Sequence, residues 1–128
     1  MSKKVISTEK APSAIGAYSQ AVQSGNLVFI SGQIPLIPES MEVHPGTVEE
    51  KIRLVFDNMR AICQAAGGDL DDIVKLTVLL TDLGDFGTVN TVMGEYFSEP
   101  YPARAAYGVA ALPKDVPVEI EAVMQLPG

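Results

Sequence analysis

Hydrophobic and polar positions repeat in two rhythms along this chain, and each change of rhythm marks an element. The strongest signal is TVEEKIRLVFDNMRAICQAAGG, where Val48, Ile52, Val55, Met59, Ile62 and Ala66 alternate steps of four and three and lay one apolar stripe along a helix. Thr47 followed three residues later by Glu50 is a capping box that satisfies amide donors at its start, and Gly67-Gly68 offers the left-handed backbone that ends it. A second helical period covers residues 85–97 through Phe86, Val89, Met93 and Tyr96/Phe97. Gly87 and Gly94 each cost this helix about 1 kcal/mol relative to alanine, so it must lean on packing.

The other rhythm is alternation. AYSQAVQ (17–23) and LVFISG (27–32) flank a Ser-Gly-Asn turn and predict a hairpin, while Pro35, Pro38 and Pro45 make 33–46 a loop. DDIVKLTVLLTDL reads as a central strand with Val74, Leu76, Val78 and Leu80 on one face. ARAAYGVAAL and VEIEAVMQL close the chain as strands around the turn PKDVP. The order strand, strand, helix, strand, helix, strand, strand predicts one α+β or mixed α/β domain over residues 1–128, with both helices on one face of a sheet. In the last strand Val118, Ile120, Ala122 and Met124 point one way and Glu119, Glu121, Val123 and Gln125 the other. The uncovered second face carries apolar residues among polar ones, which predicts a homo-oligomer.

With 128 residues and 47% hydrophobic content, the chain suffices for one core and is short for two. Lys and Arg total 9 against 16 for Asp and Glu, and a net charge of −7 with no basic patch argues against nucleic acid as a partner. No uncharged run reaches membrane-span length and the N-terminus has no apolar signal core, so a soluble, cytoplasmic protein with no membrane partner is expected. The single cysteine, Cys63, allows no internal disulfide, in keeping with a reducing compartment, and reads as a packing residue on the helix.

The motifs of metal, dinucleotide and phosphate chemistry are missing, and His44 sits in the Pro-rich loop with no ligand partner nearby, so neither metal nor cofactor is expected. Polar residues at the ends of elements remain: Tyr18, Ser31 with Gly32, Asn90, Arg104 and Glu119. Each has an ordinary structural reading, as a strand aromatic, a turn, an exposed helix residue or a solvated charge. Alternation does not separate Glu119 from Glu121 as a candidate base.

The segments AIGAYSQAV, LVFISGQIP, VKLTVLLTDLGDFGTVN and PARAAYGVAALPKDVPVEIEA, in that order and spacing, resemble the reactive intermediate deaminase A family, also called RidA or YjgF, over Ala11 to Gln125. The resemblance implies a chorismate-mutase-like fold of the bacillus type, with a mixed, mainly antiparallel sheet, assembled as a homotrimer with clefts between subunits. It also implies hydrolysis of 2-imino acids, such as 2-aminoacrylate and 2-aminocrotonate in their iminium forms, to 2-keto acids and ammonia. A guanidinium matches a planar carboxylate with two parallel donors, which suits Arg104 as anchor. Glu119 suits the proton transfers if partial burial raises its pKa. By resemblance Tyr18 closes the cleft, Ser31 and Gly32 border the ligand, Asn90 fixes Tyr18 or the arginine, backbone around Ala106 meets the imine nitrogen and Pro113 shapes the wall near Glu119. Ala106 replaces a cysteine and Ala17 a proline common among relatives. Two other classes stay open: a non-catalytic trimer that binds small carboxylates and regulates a partner, and a ribonuclease or translation inhibitor.

Overall fold

A computed structural model describes residues 3–127. The long amphipathic period forms α1 (Val48–Ala65), and its capping box is complete: Thr47 Oγ1 accepts from the Glu50 amide at 3.2 Å and Glu50 Oε1 from the Thr47 amide at 2.9 Å. Of the two glycines that follow, Gly67 takes the left-handed conformation, with φ of +100°. The shorter helix, α2 (Phe86–Tyr96), does lean on its neighbour. Phe56 of α1 packs against Tyr96 and Phe97 at 5.5 and 5.4 Å between ring centres, and the Tyr96 hydroxyl donates to Asp57 Oδ1 at 2.8 Å.

Both helices cover one face of a six-stranded sheet made of β1 (Lys4–Ile6), β2 (Ala21–Ser24), β3 (Leu27–Gln33), β4 (Ile73–Leu80), β5 (Ala103–Gly108) and β6 (Val118–Gln125). The spatial order is β1-β2-β3-β6-β4-β5. Only β4 and β5, the pair linked through α2, run parallel, so the molecule is an α+β domain with a mostly antiparallel sheet. Val118, Ile120, Ala122 and Met124 are buried on the helix side as the alternation predicts, together with Ile52, Val55, Met59 and Ile62 of α1.

Three local readings are corrected by the structure. Strand β1 was not foreseen, because only Ile6 of its three residues is buried and so short a run carries no period. Residues 17–20 are irregular, and the hairpin's first strand starts at Ala21. In β4, Ile73 pairs with Met124 but Lys75 pairs with Val123, so Val74 is the extra residue of a bulge. Ile73 takes the buried place, and Val74 is 42% exposed.

The face away from the helices is open in the single chain. Val5, Val22, Phe29 and Val123 stand in one register row across four strands, and Val5 and Phe29 are 58% and 44% exposed. At one end of the sheet the Pro-rich loop closes a small second cluster of Ile34, Leu36 and Val116. Asn58 of α1, itself buried, ties that loop down by donating to the Leu36 carbonyl at 2.9 Å.

Candidate active site

Glu119 lies on the open face of β6, half-buried, and the neighbouring strand is shaped around it. Between Ile30, paired with Ala122, and Gln33, paired with Ile120, the register slips, so Ser31 and Gly32 together oppose Glu121. The slip brings the Gly32 Cα against the Glu119 side chain. A Cβ on residue 32 would overlap Oε2 and lie 2.8 Å from Cδ, so glycine here makes room for the carboxyl group. Burial pushes the Glu119 pKa above the usual carboxylate value, and the adjacent charge of Glu121 pushes in the same direction.

The carboxyl group opens into a cavity of about 400 Å³ walled by Pro12, Ile15, Tyr18, Ile34 and Pro113. Much of this wall is irregular backbone held by side chains. Gln20, 5% exposed, accepts from the Thr8 amide at 2.7 Å and donates to the carbonyls of Thr8, Ala11 and Pro12 at 3.0, 3.3 and 2.7 Å. Ser31 Oγ donates to the Ser19 carbonyl at 2.6 Å, so its proton is engaged in fixing the segment that carries Tyr18. The Tyr18 oxygen accepts from the Ile15 amide at 3.2 Å, which leaves its own proton to be directed into the cavity. Pro113 opens a one-turn 3-10 segment in which Lys114 and Asp115 hold φ of 57° and 55°, a left-handed pair that carries strain for residues with a Cβ.

Arg104 occupies another place. In β5 it pairs with Leu76, whose side chain is buried under the helices, so the arginine points to the helix side of the sheet and lies against α2. Its Nη1 donates to Asn90 Oδ1 at 2.5 Å and touches Met93 Sδ at 3.3 Å, and its guanidinium sits 4.7 Å from the centre of the Phe86 ring. Asn90 therefore serves the arginine and not Tyr18. Ala106, two residues on, shares the helix side and is half-buried beside Leu83 and Phe86 in a hollow that Arg104 also borders.

One chain thus assembles Tyr18, Ser31, Gly32, Pro113 and Glu119 around a cavity, and Asn90, Arg104 and Ala106 beneath α2. It does not bring the two groups together. Glu119 pairs with Leu79, and β4 separates β6 from β5; the two charged side chains also leave the sheet on opposite faces. Sequence reasoning missed Gln20, whose weight lies in four contacts to a non-repeating segment. It also missed the role of Phe86, although Phe86, Asn90 and Met93 follow the i, i+4, i+7 spacing of one helical stripe. Among the described residues no group of three or more metal-ligating side chains converges, and no helix is long and apolar enough to cross a membrane. Cys63 is fully buried and its thiol is pushed up to about 12 by burial, which suits packing and not nucleophilic attack.

Residues 8–125 match the family model described as Endoribonuclease L-PSP. The chain belongs to that family, which includes RidA. Among family members, the 2-iminobutanoate/2-iminopropanoate deaminase of Mus musculus is 54% identical over 121 residues, covering 94% of this chain and 90% of the mouse protein. The crystal structure of RidA from the Antarctic bacterium Psychrobacter sp. PAMC 21119 matches with a TM-score of 0.93 at 54% identity, over 96% of this chain and 99% of that one. Escherichia coli TdcF with bound serine matches with a TM-score of 0.91 at 47% identity, over 97% and 99% of the two chains. The RidA resemblance read from four sequence segments is therefore correct, and the α+β fold is that of RidA-family structures.

Proposed function

We propose that this protein hydrolyses small 2-imino acids to 2-keto acids and ammonia, in clefts between the chains of a chorismate-mutase-like homotrimer. The observation that carries the proposal is the Glu119 carboxyl group. It is half-buried with a raised pKa, it is given room by a glycine, and it faces a cavity of about 400 Å³ in a chain 54% identical to a protein named for this activity. Arg104 of one subunit would anchor the substrate carboxylate, and Glu119 of the next would handle protons. An arginine and a glutamate on opposite sheet faces meet only if a second copy supplies one of them, and the exposed row of Val5 and Phe29 offers that copy an apolar surface.

The steps balance without an added redox partner. The enamine form gains a proton at carbon to become the iminium ion. Glu119 takes a proton from water as the water oxygen bonds to the iminium carbon, giving a carbinolamine. The protonated Glu119 then returns that proton to the nitrogen, takes up the hydroxyl proton as the carbonyl forms and the carbon–nitrogen bond breaks, and passes it to the departing ammonia, which leaves as ammonium. A raised pKa makes the carboxylate a stronger base than an ordinary surface glutamate, so it takes the water proton more readily and holds it until the nitrogen accepts it. Tyr18 and Pro113 close the cleft, and Ser31 and Gly32 border it.

The family description also names an endoribonuclease, but a net charge of −7 works against binding a phosphodiester chain. The test is to generate 2-aminocrotonate in situ with a threonine dehydratase and follow 2-ketobutyrate formation. Acceleration abolished by Arg104→Ala and by Glu119→Gln is the expected result. No acceleration by wild type, with Arg104-dependent carboxylate binding intact, would replace the enzyme by a carboxylate-binding regulator. Sedimentation should give about three times the 13.6 kDa chain mass.

A further inference from the structure

The surroundings of Arg104 narrow how it meets a carboxylate. A guanidinium has five N–H donors, and its Nε–H and one Nη2–H lie parallel along one edge, matching the two oxygens of a carboxylate. Here Nη1 is engaged by Asn90 Oδ1 and Met93 Sδ, both from α2. Among the described residues, no partner engages Nε or Nη2. The Phe86 ring lies 4.7 Å from the guanidinium carbon and covers it, while the arginine is itself exposed. An exposed arginine held by only one hydrogen-bonded nitrogen would still swing about that contact, and the aromatic ring removes part of this freedom.

We propose that Phe86 is a positioning residue: its ring, with Asn90 and Met93, holds Arg104 so that the Nε–Nη2 edge, and no other, is presented to the substrate carboxylate. The inference rests on the reading of Arg104 as the carboxylate anchor. It assigns the carboxylate to one edge of the arginine and gives the aromatic residue at the start of α2 a part in affinity. Phe86 touches no reacting atom, so its loss should weaken binding and leave the chemical step largely alone.

Calorimetric titration with 2-ketobutyrate, the stable product carboxylate, tests this on wild type, Phe86→Leu, Phe86→Tyr, Arg104→Ala and the Phe86→Leu/Arg104→Ala double variant. Arg104→Ala should weaken binding by at least about 100-fold and Phe86→Leu by about tenfold. The double variant should bind no more weakly than Arg104→Ala alone, because Phe86 acts through the arginine. Phe86→Tyr, which keeps the ring, should stay within about twofold of wild type. In turnover Phe86→Leu should raise KM by the factor seen in binding with kcat nearly kept. If Phe86→Leu does not fold, Phe86→Met carries the same comparison. Wild-type affinity in a folded Phe86→Leu or Phe86→Met protein, or a further tenfold loss on the Arg104→Ala background, overturns the role of Phe86. In wild type, the Arg104 Nε–H resonance should move on adding 2-ketobutyrate, and a resonance that stays still while the Asn90 amide moves overturns the edge assignment. Undiminished binding by Arg104→Ala removes the anchor itself, and with it both the functional reading and this inference.

Discussion

Glu119 and Arg104 belong to one sheet, stand on opposite faces of it, and are held in place by different means. Around Glu119 the backbone is irregular: a register slip at Ser31-Gly32, a non-repeating segment pinned by Gln20, and a strained turn at 113–115. Around Arg104 it is regular, a parallel strand under a helix whose side chains at 86, 90 and 93 grip the guanidinium. The acid is partly desolvated and loses stability by being charged. The arginine stays exposed and is held by an amide oxygen, a thioether sulfur and an aromatic ring. The acid's surroundings tune a proton affinity, which needs burial; the arginine's surroundings fix an orientation, which needs rigid neighbours.

The sharpest way to break this comparison is to separate the two halves genetically. Arg104→Ala and Glu119→Gln should each lower kcat/KM by at least about 100-fold. Co-expressed in equal amounts, the two variants should regain about one quarter of wild-type activity, because in a trimer one site in four draws an intact arginine from one chain and an intact glutamate from its neighbour. A site contained in one chain predicts no recovery at all. Activity that stays at the level of the single variants would therefore retire the inter-subunit arrangement.

Gly32→Ala probes the acid half alone. Its added Cβ would overlap the Glu119 carboxyl group, but that group is the end of a flexible side chain and can turn aside. Activity should fall by at least about tenfold, while unfolding free energy changes by no more than about 1 kcal/mol. Gln20→Ala should show the reverse balance. It strands the Thr8 amide and carbonyls around a buried site, for a loss of about 2–3 kcal/mol in denaturant titration, and it lowers activity only as far as the wall of residues 8–12 loosens.

The same contrast explains what could be read from the sequence. Both helices, their order and the buried face of β6 follow from periods and caps, because a regular element repeats one physical rule over many residues. Strand β1, the bulge at Val74 and the Gln20 clamp were not legible, because each depends on a few contacts between residues distant in sequence and repeats no pattern along the chain. Arg104 and Glu119 were singled out by chemistry and by family resemblance. Their placement on opposite faces follows from strand register: β5 lies beside β4, and its pairing of Arg104 with Leu76 turns the arginine toward the helices. Neither the strand order nor that register is written in the spacing of the PARAAYG and VEIEA segments.

The smallest expected effects concern protonation. Burial and Glu121 raise the Glu119 pKa above 4.5, so the acid limb of kcat/KM should lie above that value, and Glu121→Gln should move it down by removing a like charge. Stability carries the opposite sign. Between 4.5 and the raised pKa the folded chain binds more protons than the unfolded one, so the contribution of Glu119 is fully present below 4.5 and is lost as pH rises through the folded value. Glu119→Gln, which does not titrate, should gain on wild type by less than about 1 kcal/mol between pH 4 and pH 7.5, a difference of a few degrees in thermal unfolding. If the neighbour's Arg104 faces Glu119 in the assembled protein, its charge opposes the shift. Arg104→Ala should then raise the Glu119 pKa further and enlarge the stability gain from Glu119→Gln. An offset that does not change with Arg104 would mean that the two groups do not sense each other across the interface.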